Sequence, residues 1–191
     1  MLSNALVFLI ETIFGLFAVA LLLRFYLQCV RAPYRNPLSE FLAALTDFAV
    51  RRARRIIPGL WQLDLATLIL AWIVEVVQIV IVILLKDYSL SPQIGVAFIA
   101  IGAIAALRLV RLTVYIVMVA VIAQAILSWI SPYHQLAPLL HSMTAPFLRR
   151  FQRIIPPIGN VDLSPLFVII VCQLVLMLPI AWLEMSAVQL L

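Results

Sequence analysis

Residues 94–130 read IGVAFIAIGAIAALRLVRLTVYIVMVAVIAQAILSWI, and how this tract is divided decides the fold. Its only charged residues are Arg108 and Arg111. A membrane-crossing helix needs roughly 20 mainly apolar residues, so the tract is long for one crossing and short for two. Two crossings would require a turn at Arg108-Leu109-Val110-Arg111, where no Gly, Pro, Asn or Asp stands to make it. One crossing is therefore expected. A continuous helix of that length extends ~55 Å at 1.5 Å per residue, so the Ile94–Ala106 end is expected to reach beyond the outer interface.

Three further tracts, Leu2–Leu23, Leu63–Leu85 and Leu163–Trp182, each supply one span. The chain is 66% hydrophobic and 11% charged, with a mean hydropathy of +1.19. An ordinary soluble domain, nearer ~45–50% apolar, is excluded. No Lys or Arg precedes the first apolar run and no A-x-A cleavage site follows it, so the first helix is expected to be retained. Cys29 and Cys172 lack C-x-x-C spacing and fall at different membrane depths. They are expected to be apolar packers, with neither a disulfide framework nor a zinc site.

The charges sort by loop. Arg51, Arg52, Arg54 and Arg55 crowd into RRARRIIP at 51–58, and the pattern returns as RRFQRIIP at 149–156, carrying Arg149, Arg150 and Arg153. With Arg31 and Arg35, these put both basic segments on the side where Lys and Arg are retained, the cytoplasm. The KDYSLSPQ connector has Lys86 balanced by Asp87. The net charge of +5 is thus better explained by anionic lipid headgroups than by nucleic acid. The expected architecture is all-α and polytopic: four transmembrane helices as two tandem parallel hairpin repeats, 1–88 and 89–191, both termini outside the cytoplasm. Repeats of this parallel kind differ from the inverted pairs of many transporters.

Each repeat carries an interfacial amphipathic helix. Asn36-Pro37 offers an N-cap with proline at the first helical position. Leu38, Phe41, Leu42, Leu45 and Phe48 then recur at helical spacing, as do Leu139, Leu140, Met143, Phe147, Phe151 and Ile154 in the second copy. Such a helix lies in the interface plane, with arginines complementing its C-terminal dipole and Pro58 or Pro156 ending it. Asp64 and Asp162 open the following spans. They either cap free N–H groups or pair with an arginine of their own repeat. Trp61, Trp129, Tyr133, Tyr88 and Trp182 fit aromatic belts.

L-L-L-R-F-Y-L-Q at 21–28, N-P-L-S at 36–39, R-R-A-R-R-I-I-P at 51–58 and R-R-F-Q-R-I-I-P-P-I-G-N-V-D-L-S-P at 149–165 together resemble the YggT (YGGT repeat, YlmG-related) membrane proteins. The first copy departs from the usual ending and reads I-P-G-L-W-Q-L-D-L-A-T. The resemblance covers nearly the whole chain. It implies a non-enzymatic integral membrane protein with two tandem copies of this unit. Bacterial relatives are associated with osmotic and potassium tolerance, and plastid relatives with cytochrome complex biogenesis and nucleoid organisation.

Overlaying Arg24-Phe-Tyr-Leu-Gln28 on Gln124-Ala-Ile-Leu-Ser128 puts Glu11 and Arg111 at equal depth, ~20 Å from the cytoplasmic end. Glu75 and Gln173 fall near mid-bilayer, and Gln78 and Arg108 lie close by in sequence. Ionisable groups at helix centre cost ~2.5–3.5 kcal/mol on insertion scales and normally face the bundle interior in pairs. Glu11, Glu75, Arg108 and Arg111 can neutralise one another, and at least one buried acid–arginine pair linking the first or second span to the third is expected, Glu11 with Arg111 being one to test by charge reversal. His134 and His141 lack companion ligands, and no G-x-S-x-G, H-E-x-x-H or phosphate loop occurs. No catalytic residue, metal or cofactor is expected.

Two functions fit. One is an inner-membrane assembly or scaffolding factor whose basic helices hold anionic lipid and dock partner proteins, with close helix contact at Gly102 and Ala106. The other is a small potassium or solute transporter or channel subunit using Glu11, Glu75, Gln78, Arg108, Arg111 and Gln173. Four spans make a narrow bundle, so this second reading calls for a homo-oligomer.

Overall fold

The computed structural model describes residues 2–33, 36–57, 64–86, 94–131, 134–154 and 162–189. Arg35, Pro58, Trp61, Asp87, Tyr88, Tyr133 and Pro156, with the connectors that hold them, lie outside the described residues. In chain order the helices are α1 (Leu2–Cys29), α2 (Pro37–Ala53), α3 (Leu65–Leu85), α4 (Ile94–Ile130), α5 (Ala137–Gln152), α6 (Ser164–Val175) and α7 (Ala181–Val188). A π-helical turn at Leu176–Ile180 joins α6 to α7. Among the described residues, four rods are long and apolar enough to cross a membrane: Ser3–Cys29, Leu65–Leu85, Gly95–Ile130 and Ser164–Val188.

Residues 94–130 form one unbroken helix, with Arg108 and Arg111 inside it. The Val- and Ile-rich α3 is helical for the same reason: within a bilayer each backbone N–H and C=O has to be satisfied inside its own segment. Pro179 lacks an N–H, and the backbone absorbs it by widening one turn into the π form. α1 ends where Arg31 takes φ 51°. The Ala32 N–H then bonds to the Leu27 carbonyl at 2.9 Å and the Arg31 N–H to that of Gln28 at 3.1 Å, closing the helix as glycine usually does.

The core runs along the bundle axis. Leu21 and Leu22 of α1 meet Val50 of α2, Ala71 of α3 and Leu109 of α4. Small residues allow the helices to approach: Ala18, Ala71 and Ala105 are fully buried. The Trp72 indole donates to the Gly102 carbonyl at 3.0 Å, and its ring lies 3.3 Å from where a Cβ on Gly102 would stand. Glycine is what lets α3 and α4 touch there. The Ile94–Ala106 end of α4 is packed and not solitary: Ile101, Ile104 and Ala105 close against Ile79 of α3 and Ala187 of α7.

Two local expectations need correcting. α2 and α5 end at Ala53 and Gln152, before Pro58 and Pro156, so Arg54 and Arg153 stand at the caps. The apolar stripe of α2 also divides. Leu42, Thr46 and Val50 are buried on the bundle, whereas Phe41, Leu45 and Phe48 are exposed, with Phe48 stacked on Phe17 at a centroid distance of 5.7 Å. In α5, Leu139, Met143, Thr144 and Leu148 turn inward and Phe147 outward. A helix at the bundle end has two apolar neighbours, the protein and the surrounding bilayer, and one stripe serves both.

Candidate functional site

The two arginine-rich corners sit at one end of the bundle, where α1 and α4 finish and α3 and α6 begin. Asn36 opens α2 by accepting from the Ser39 N–H at 2.8 Å, with Pro37 at the first turn. Arg24 of α1 then fastens α2 in place: its Nη1 donates to Thr46 Oγ1 at 2.8 Å and to Asp47 Oδ1 at 2.7 Å. Arg51 reaches the other Asp47 oxygen at 2.9 Å. The hydrogen bond from Arg24 holds the Asp47 carboxyl below the ordinary carboxylate value, against a smaller upward push from desolvation.

The return of the chain is pinned in the same way. Arg54 donates through Nε at 3.1 Å and Nη2 at 2.5 Å to Asp64 Oδ2, and the Thr67 hydroxyl donates to that oxygen as well. Burial pushes the Asp64 carboxyl up, but these donors more than offset it and leave it below the ordinary value. Asp64 makes no side-chain cap to α3.

The second corner repeats this plan with glutamines in place of the two joint-forming arginines. Gln124 stands where Arg24 does, and its amide oxygen accepts from the Thr144 hydroxyl. Gln152 stands where Arg54 does and donates to Asp162 Oδ2 at 2.8 Å. Asp162 Oδ1 accepts from the Ser164 N–H at 2.9 Å. Asp64 is therefore an arginine partner, while Asp162 holds one N–H of the first turn of α6 from the residue before its N-cap, Leu163. Burial raises the Asp162 carboxyl, and its bonds to Ser164 and Gln152 bring it below the ordinary value.

Around these joints the remaining guanidinium groups are open. Arg52, Arg55, Arg149, Arg150 and Arg153 are exposed, with no side-chain partner among the described residues. Arg51 is exposed but shares Asp47. Exposed Ile56 and Ile154 flank them. His134 and His141 are also exposed, and Cys29 and Cys172 are free thiols.

Deeper in the spans, Arg108 Nη1 lies 3.8 Å from Glu75 Oε2, joining α4 to α3. Arg111 forms an ion pair with Glu184 of α7. The expected pairing of Arg111 with Glu11 is thus overturned: Glu11 is exposed on α1, and Glu184 takes its place because the continuous rod after the π turn carries α7 back along α4. Gln78 is buried with Oε1 unpartnered, as is Oε1 of Glu184. Gln173 also departs from expectation. It is exposed, its amide reaching only the Met118 sulfur at 3.5 Å, because α6 has a less covered face than α3.

Sequence reasoning missed Arg24, Thr46, Asp47, Gln124, Thr144, Gln152 and Glu184 as structural partners. The overlay of the repeats held the signal for most of them, since Arg24 lies over Gln124 and Arg54 over Gln152. Glu184 had no such signal. Its partner is set by the path of α7.

Four apolar rods and two short helices, each short helix fastened to the span before it by a residue at the same place in its half, define a helical multi-pass membrane protein. The CCB3/YggT family model matches residues 3–85 and 103–183, and the chain belongs to that family. It is 35% identical over 181 residues to an uncharacterised protein of Pseudomonas aeruginosa, covering 94% of this chain and 90% of that protein. It is 34% identical over 171 residues to an uncharacterised protein of the proC 3′ region of Vibrio alginolyticus, covering 89% and 90%. The uncharacterised protein YggT of Escherichia coli is 29% identical over 173 residues, covering 90% and 87%. No solved structure matches the chain.

Proposed function

We propose that the protein is a non-enzymatic assembly or scaffolding factor of the bacterial inner membrane. Its two units, 1–88 and 89–191, each present an arginine corner to the cytoplasmic headgroup layer, with both termini on the opposite side. The observation that carries this reading is that the guanidinium groups of Arg52, Arg55, Arg149, Arg150 and Arg153 stay open to solvent while Arg24 and Arg54 are used to hold the corner rigid. Exposed Phe41, Leu45, Phe48 and Phe147 lie on the same short helices, giving each an apolar side for the acyl region beside a basic end for headgroups. Basic residues near an anionic surface contribute about 1 kcal/mol each. A site that holds acidic lipid at two corners can gather partner proteins there, in support of the envelope or osmotic stress tolerance that the family resemblance implies.

The test is lipid retention. Protein in nanodiscs of mixed phosphatidylglycerol and phosphatidylcholine should enrich the anionic lipid around itself, measured by native mass spectrometry. Replacing Arg51, Arg52, Arg55, Arg149, Arg150 and Arg153 by Gln should abolish the enrichment. Retained enrichment would remove the reading.

The second reading, a potassium or solute pathway, rests on buried Glu75 and Gln78 with half-buried Arg108, Arg111 and Glu184, and on the two unpartnered oxygens among them. Each arginine there already faces an acid, which is how intramembrane polar groups serve as glue. Potassium flux into proteoliposomes, abolished by Glu75→Gln, would establish the pathway in its place.

A further inference from the structure

Counting the charges inside the spans leaves one over. Arg108 is matched by Glu75 and Arg111 by Glu184, and Glu11 makes no hydrogen bond or ion pair with any described residue. Glu11 lies 13 residues before Arg24, hence ~20 Å from the arginine-rich end along α1 at 1.5 Å per residue. That is well inside the apolar tract Ser3–Cys29. A carboxylate at such depth is expensive unless something pairs with it.

Its place on the helix is informative. Asn4, Glu11, Gly15, Ala18 and Leu22 fall on one stripe of α1, at the seven-, four- and three-residue spacings of a helix-packing face. The lower end is covered: Ala18 and Leu22 are buried by the bundle. The upper end is covered only in part: Val7, one turn before Glu11, is buried, whereas Asn4, Phe8, Glu11 and Thr12 are exposed, and a Cβ built on Gly15 would meet nothing within 4 Å. Small and polar residues on an uncovered face of a membrane helix are what interhelical contacts use.

We infer that this upper face of α1 docks a transmembrane helix of a partner protein that carries a lysine or arginine at the depth of Glu11. A second copy of this chain does not fit the charge: it would oppose Glu11 to Glu11, and its own intramembrane arginines are already occupied by acids. The inference deepens the docking part of the proposed function, yet it uses a surface remote from the arginine corners. Loss of lipid enrichment and loss of helix docking are therefore separable results.

The probe is a synthetic Leu/Ala transmembrane peptide with one lysine placed ~20 Å from the interface, and the same peptide with leucine there. Energy transfer from the donor-labelled full-length protein to acceptor-labelled peptide is read in phosphatidylcholine vesicles. The lysine peptide should half-saturate at about one-tenth the peptide-to-lipid ratio of the leucine peptide, a preference of about 1.4 kcal/mol. Glu11→Gln should erase the preference and Glu11→Asp should keep it, with thermal unfolding unchanged in both because the side chain is exposed. Equal binding of the two peptides, or a preference that survives Glu11→Gln, would overturn the inference. So would energy transfer between labelled copies of the chain that depends on Glu11, since the face would then belong to a second copy.

Discussion

Arg24 shows what one side chain decides. It is nearly covered, 12% exposed, and serves Thr46 and Asp47 together. Hydrogen bonds to charged groups contribute ~1.5–3 kcal/mol each, so losing two of them in Arg24→Ala should cost at least about 3 kcal/mol, leave Asp47 with Arg51 alone and loosen α2. Arg24→Gln should cost about half as much, because Gln124 already performs the Thr46-type contact at Thr144 in the other half. Detergent unfolding followed by circular dichroism checks the order. A glutamine variant weaker than the alanine variant would show that the neutral joint is not transferable.

At the scale of the element, α2 and α5 differ in what holds them. α2 is tied by Asp47 and Asp64, both kept below their ordinary value of 3.8 by hydrogen-bonded arginines. A carboxylate whose folded pKa is depressed adds stability above its unfolded value, and that stability is lost as pH falls through the folded one. α2, with both of its joints on carboxylates, should therefore loosen below pH ~4, whereas α5 has one joint that titrates, Gln152–Asp162, and one, Gln124–Thr144, with nothing to titrate. Spin labels at exposed Ala44 and His141 should report this as mobility rising at Ala44 first on acidification. Simultaneous release of both would mean that the joints do not bear the helices. The repeats made these elements legible in the sequence: Asn36-Pro37 places the start of α2, and RRARRIIP with RRFQRIIP marks the two corners. The ends were less legible, because the side chains of Arg54 and Gln152 are drawn to Asp64 and Asp162 across the turn.

For the whole molecule, the half-buried ion pairs within the spans join the rods, α3 to α4 and α4 to α7. Arg111→Glu puts two acids together between α4 and α7 and should cost about 2 kcal/mol, less than the ~3–5 for a fully buried pair because the Arg111 side chain is 36% exposed. Adding Glu184→Arg should recover most of it, as measured by thermal stability in detergent. Recovery on pairing Arg111→Glu with Glu11→Arg would restore the contact that the sequence suggested and contradict the path of α7.

The amino-acid order by itself determined the number of rods, the single helix over 94–130 and the pairing of two basic corners, since hydropathy, the absence of turn residues and a repeated motif are local properties of the chain. Only the tertiary structure decided which acid meets which arginine. Glu11 and Glu184 both lie in apolar helices near the depth of Arg111, and partner choice between them depends on where the π turn at Pro179 sends α7, a fact of three-dimensional packing that no spacing along the chain encodes.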